Sequence, residues 1–309
     1  MRAALSMFLL ALTATPAVAA SKVDLPVRIK AGDSWTQEVV LTHTQQAGAA
    51  PPQAWTQTTQ TKVTYRGAEN GVGRIALNWT KAEATGLAPD FIKAATDLLL
   101  PLEIEVDDRL LPTRIRNWEA LKAAMVKASE ALIPDLAARK AAVGFLEMWD
   151  DTTAAPQVLK EQSLLALGQG TSLGLGGKET YESDISNPFG GQPIKATGSY
   201  TLVSLDKKSG RASLTWSQDL DPKSATQAVM LLVDRLIAST PAEKQGEARL
   251  KLSTMTLSRH DTCGYQIDIA TGLVVEADCA SEILAGLQDQ LGRRADRWRM
   301  TQTLPGSQP

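Results

Sequence analysis

Gly73-Arg74-Ile75-Ala76-Leu77-Asn78-Trp79-Thr80 and Gly210-Arg211-Ala212-Ser213-Leu214-Thr215-Trp216-Ser217 are two copies of one phrase, identical at four of eight positions. In each copy the third, fifth and seventh residues are apolar and their neighbours small or polar, the period of two that a half-buried strand requires. Each copy therefore reads as a β-strand entered from a glycine turn. Leu77, Trp79, Leu214 and Trp216 are the candidate structural core, and Arg74 and Arg211 exposed turn residues.

The same order of signals surrounds both copies. Trp55 to Arg66 precedes the first as a strand and Thr197 to Leu205 the second, each through a glycine-bearing turn. A helix opens after each, at Pro89 and at Pro222, the second running to about Ala238 with so apolar a sequence that burial on most sides is expected. A strand pair follows, Leu102 to Val106 with Leu111 to Ile115 in the first half. Arg249 to Arg259 and the hairpin Cys263 to Cys279 follow in the second. Asn117 is placed to cap a helix to about Ile133, and Ser281 to open another to Leu291, stopped by Gly292 before a last strand Arg297 to Leu304.

The pattern predicts an α+β fold: two tandem copies of a mainly antiparallel, curved β-sheet with packed helices, pseudo-twofold related, each sheet wrapped around its buried helix. The boundaries read as a signal peptide over 1–20, a first β-rich copy with a helical extension over 21–167, a Gly-rich linker over 168–177, a second β-rich copy over 178–304 and a tail over 305–309.

Arg2, the apolar run Ala3 to Leu12 and the small residues Ala17-Val18-Ala19-Ala20 form a secretory signal cleaved after Ala19 or Ala20. The run is too short to span about 30 Å of hydrocarbon. The expected location is periplasmic or secreted. A formal net charge of −2 argues against a nucleic-acid binder and against electrostatic attachment to anionic lipid.

The chain has two cysteines. With Ala270-Thr271-Gly272 as a hairpin loop and Gly272 left-handed, Cys263 falls opposite Cys279 on the hairpin's apolar face, and export makes a disulfide the expected outcome. The rival, metal ligation by His260, Asp261 and the cysteines, fits no zinc spacing.

Other candidates for chemistry have plainer readings. His43 reads as a solvent-facing strand residue and His260 as closing a turn with Asp261. The pairs Asp107-Asp108 and Asp150-Asp151 sit where elements end, as turn and helix-stop residues do. Gly168 to Gly177 with Lys178 matches no phosphate-loop spacing, and no Gly-x-Ser-x-Gly elbow occurs. Asn78-Trp79-Thr80 is a formal glycosylation sequon inside a strand.

No catalytic, cofactor-binding or metal residue is assigned, and no cofactor is expected. The reading is an exported, soluble, non-enzymatic binding protein carrying an apolar or lipid-like ligand in a concave sheet. A second reading is a cell-envelope protein-interaction or assembly module, using Asp33 to Gln60 or the cluster Arg293, Arg294, Arg297 and Arg299. A third is a hydrolase with a carboxylate-based site. The expected partner is a small apolar ligand or an envelope protein, with no nucleic acid and no stable membrane insertion.

Overall fold

The structure, a computed structural model, describes residues 22–89, 92–93, 100–185, 187, 192–238, 245–246, 255–287 and 290–304. The expected signal peptide, the tail, most of the helix after Pro89 and strand residues 249–254 lie outside the described residues.

Eleven strands form one sheet in the order β6-β5-β4-β3-β2-β13-β12-β11-β10-β9-β8. In the first half these are β2 (Ser34–Ala47), β3 (Gln53–Glu69), β4 (Val72–Thr85), β5 (Leu102–Val106) and β6 (Pro112–Ile115). In the second they are β8 (Lys178–Ile185), β9 (Ile194–Asp206), β10 (Arg211–Leu220), β11 (Thr256–Asp268), β12 (Val274–Leu287) and β13 (Gln290–Thr303). Every pairing between them is antiparallel. A separate two-stranded ribbon pairs β1 (Lys22–Leu25) with β7 (Thr171–Gly174). The helices are α1 (Trp118–Leu132), α2 (Leu136–Glu147), α3 (Ala155–Val158), α4 (Lys160–Gly168) and α5 (Pro222–Ala238).

Both motif copies are strands, β4 and β10. Leu77, Leu214 and Trp216 are buried as expected, whereas Trp79 is only partly buried at the border of its core. The pseudo-twofold is not found. Across the sheet the first half runs β6-β5-β4-β3-β2 and the second β12-β11-β10-β9-β8, in the same sense, with β13 between them. A twofold normal to the sheet would reverse one half. The strands of the two halves are laid head to tail.

Three further expectations are corrected. Ser281 to Leu291 is not a helix: β12 runs to Leu287 and β13 starts at Gln290, because pairing along both neighbours outweighs the local capping signal. Residues 168–177 are no free linker, since Leu173 is buried in β7 and a Cβ on Gly168 would lie 2.8 Å from the Tyr265 ring. The helix crossing the middle of the covered face is α4. Its Leu164 and Leu165 share a core with Val39, Leu214, Tyr265 and Trp298, while α5 packs at one end against β9 and β11.

Two ties fix α4. Tyr265 Oη donates to Leu164 O at 2.9 Å from the second half. From the first half, Arg109 donates to Gln169 O, Ala166 O and Leu167 O at 2.9, 3.3 and 3.1 Å, satisfying carbonyls that a helix C-terminus leaves open.

Gly272 has φ +69°, and a Cβ there would meet Pro26 O at 2.2 Å, so both backbone shape and space demand glycine. The pairing is offset at the loop end, where Ile267 faces Val274; a bulge beside Gln266 restores it, and Cys263 faces Cys279. These two form a disulfide with Cα atoms 4.1 Å apart. Replacing both cysteines by alanine is expected to lower stability by about 3 kcal/mol, the loop-entropy value for a ring of this size. Urea unfolding of the double variant against the oxidised parent measures it.

Candidate functional site

Side chains alternate faces along a strand, so register fixes which residues share a row across the sheet. On the face covered by the helices, one row passes through eight neighbouring strands: Trp55, His43, Asp296, Ser281, Asp261, Gln218, Gly198 and Tyr181. The adjacent row towards the β11–β12 turn, Leu41, Trp298, Cys279, Cys263 and Trp216, is core. The polar row separates this core from the smaller apolar clusters that α5 makes with Ile194 and Leu257.

Its ionic groups are paired. Asp261 receives Arg259 through Nε at 3.0 Å and Nη2 at 2.7 Å. Asp296 receives Arg294 Nε at 2.8 Å on one oxygen and lies 2.5 Å from His43 Nδ1 through the other, and His43 stacks on Trp55 with centroids 4.9 Å apart. The carboxylate side chains are 3% and 4% exposed, their guanidinium partners 24% and 53%. Buried carboxylates thus lie beneath cations that face outwards.

At the second-half end, Tyr181 crosses Gly198, where a Cβ would stand 2.3 Å from its ring, and takes hydrogen bonds from Trp216 Nε1 at 2.6 Å and Gln218 Nε2 at 3.0 Å. Burial pushes its phenol up to about 12.

The first turn of α4 brings Lys160 and Glu161 to the same row. Burial, then repulsion from Arg259, brings the Lys160 ammonium down to about 8 against the pull of Asp261, Glu161 and Asp296. Burial pushes the Glu161 carboxyl up, opposed by its own backbone N–H and by the nearby indole of Trp298. That indole Nε1 has no partner within hydrogen-bond distance, so the Glu161 contact is long.

Beyond the row, towards α5, the same face carries partly buried Leu257 and Ile283 on β11 and β12. Trp55 ends the row on β3, while partly buried Leu41 and Trp79 lie on its filled side, in the rows of Trp298 and of Gln37. Apolar and aromatic side chains thus border a row of fixed charges, the make-up of a small-molecule pocket.

The site gathers residues read separately in the sequence. His43 is buried and paired rather than solvent-facing, because β2 is an interior strand. His260 closes no turn: it is exposed on β11 and bonds Asp219 Oδ1 at 2.7 Å. The metal alternative loses its ligands to the disulfide. Asp107 and Asp150 bind the backbone N–H groups of their own turns, as expected. Of the arginine cluster, Arg293 and Arg297 pair with Glu282 and Asp278 on the outer face, while Arg294 belongs to the row. Lys160, Arg259, Asp261 and Asp296 were missed as a group; the polar residues interrupting the apolar parity of β11 and β13 were the available signal.

No protein-family model matches the sequence, and no curated protein does. Among solved structures, the chain is similar to "Lipid-protein interactions in lipovitellin", at 10% identity and TM-score 0.45 over 91% of its length, and spans 26% of that chain. It is also similar to DynF from the dynemicin biosynthesis pathway of Micromonospora chersina, at 6% identity and TM-score 0.22, covering 94% of this chain and 90% of that one. Likenesses this distant leave function to be read from the site itself.

Tyr181→Phe removes the acceptor of the Trp216 indole and is expected to cost about 1–3 kcal/mol, read by chemical denaturation. The unfolded Lys160 keeps its proton to about 10.5 and the folded one to about 8. Between these values the unfolded chain binds more protons, so this lysine's penalty is full below pH 8 and fades as pH rises. Lys160→Met is therefore expected to raise the melting temperature at pH 7, with the gain shrinking towards pH 10.5 in paired thermal melts.

Proposed function

We propose that this is an exported, non-enzymatic protein that binds a lipid-like, amphipathic ligand on the covered face of its sheet, between the charged row and α5. One observation carries the reading: the charged row is bordered by apolar side chains that stay partly exposed, Trp55 at its end on β3 and, on the α5 side, Ile283 between Arg259 and Arg294. Apolar side chains half-desolvated in this way gain about 25 cal/mol for each Å² that a ligand covers. Export accords with the disulfide and with the N-terminal sequence.

The interaction-module reading has its own observation on the opposite face. There Gly264, without a side chain, floors a groove of about 500 Å³ bounded by Val203, Gln266, Asp278 and Arg299. The arginines that the sequence offered for this role are largely neutralised by Asp278 and Glu282, which favours the first reading.

Binding of a fluorescent fatty-acid analogue tests it. Ile283→Asp is expected to weaken binding at least tenfold, and Val203→Asp, on the outer face, to leave it unchanged, with thermal melts verifying that both variants are folded. Failure of the parent protein to bind, or equal loss in both variants, overturns the reading.

A further inference from the structure

We infer that the ligand's head group is anionic, a carboxylate or phosphate, received by Lys160, Arg259 and Arg294 above the buried carboxylates of Asp261 and Asp296. This rests on the binding reading above and names the chemistry of the ligand's polar end.

Exposure and hydrogen-bond capacity both point this way. In each ion pair the carboxylate is almost wholly buried and the guanidinium is the accessible partner, so an approaching ligand meets cations first. Each guanidinium has donors to spare. Asp261 occupies Nε and Nη2 of Arg259, leaving Nη1, and Asp296 occupies Nε of Arg294, leaving both terminal nitrogens without a partner among the described residues. Arginine donors in this fork geometry suit carboxylate and phosphate oxygens.

Lys160 adds the third cation, and its ammonium makes no hydrogen bond or ion pair among the described residues. The charged groups around it are Glu161 on its own helix, Arg259 and Asp261 on β11 and Asp296 on β13, with Arg294 and His43 of β2 each holding Asp296. Asp261 and Asp296 are each matched by an arginine. Glu161 remains to balance Lys160, but burial disfavours its charged form, so the excess at the accessible side is positive.

A partly buried ammonium without a partner among the described residues lowers the stability of the empty protein. Local departures of this kind, where one side chain works against the fold, concentrate at sites of function. A bound anion supplies the partner that the fold withholds.

Four probes test the inference by equilibrium titration of tryptophan fluorescence: oleate, oleyl alcohol, dioleoylphosphatidylglycerol and dioleoylglycerol. The parent is expected to bind one anionic probe at least tenfold more tightly than its neutral counterpart, and which anion wins tells carboxylate from phosphate. Lys160→Met is expected to lose this preference, although the substitution stabilises the fold. Lys160→Arg is expected to retain it, and only the parent's preference is expected to decline as pH rises past 8. Equal binding of charged and neutral probes, or a preference unchanged in Lys160→Met, overturns the anionic head group while leaving the carrier reading intact. Failure to bind any of the four overturns the carrier reading itself.

Discussion

The antiparallel ladder between β2 and β13, from Thr36–Thr303 to Ala47–Gly292, is the constraint on which the rest depends. Each half alone is a meander with two open edges, and an open edge invites pairing with another chain. The ladder joins one edge of each half and turns two short sheets into one of eleven strands. The edges that remain are guarded: β6 has four residues, and β8 carries Lys178, Glu179, Glu182 and Asp184. The same ladder sets His43 opposite Asp296, so the centre of the charged row exists only because the two ends of the chain meet there.

The covered face is layered along its strands. Near the β11–β12 turn it is filled, with α4 tied to the first half by Arg109 and to the second by Tyr265. A polar seam of Gln37, Thr61, Gln162 and Gln302 lies between the two main cores, joined by Gln162 Nε2 donating to Gln37 Oε1 at 3.0 Å. The charged row separates this filling from the smaller apolar clusters under α5. Buried ions are tolerated there because each carboxylate is matched by hydrogen bonds, without which burial would cost several kcal/mol. Lys160 departs from that rule among the described residues, and it stands where the accessible charge is positive.

Local pattern was informative wherever burial follows alternation. The two motif strands, the register of Cys263 with Cys279 and the left-handed Gly272 all followed from spacing and turn chemistry. The loop-end offset at Ile267 did not disturb the cysteine pair, because a bulge compensated within the same hairpin. Trp79 departed from its counterpart Trp216: the Tyr181 hydroxyl completes the burial of one, whereas the other lies at the border of its core. Ser281 to Leu291 carried a helical capping signal, yet its neighbours on both sides are strands of its own sheet. His43 was misjudged for a related reason. Whether a strand residue faces water depends on what covers that face, and α4 comes from a stretch more than a hundred residues away.

The sequence by itself determined the two motif strands, their turns and the disulfide, because periodicity of two, glycine at positive φ and cysteine spacing act over a few residues. Only the tertiary structure decided how the halves join and where charge collects. Those outcomes depend on edges pairing across about 250 residues of chain and on a helix laid over strands from both ends, and alternation along one strand contains no record of either.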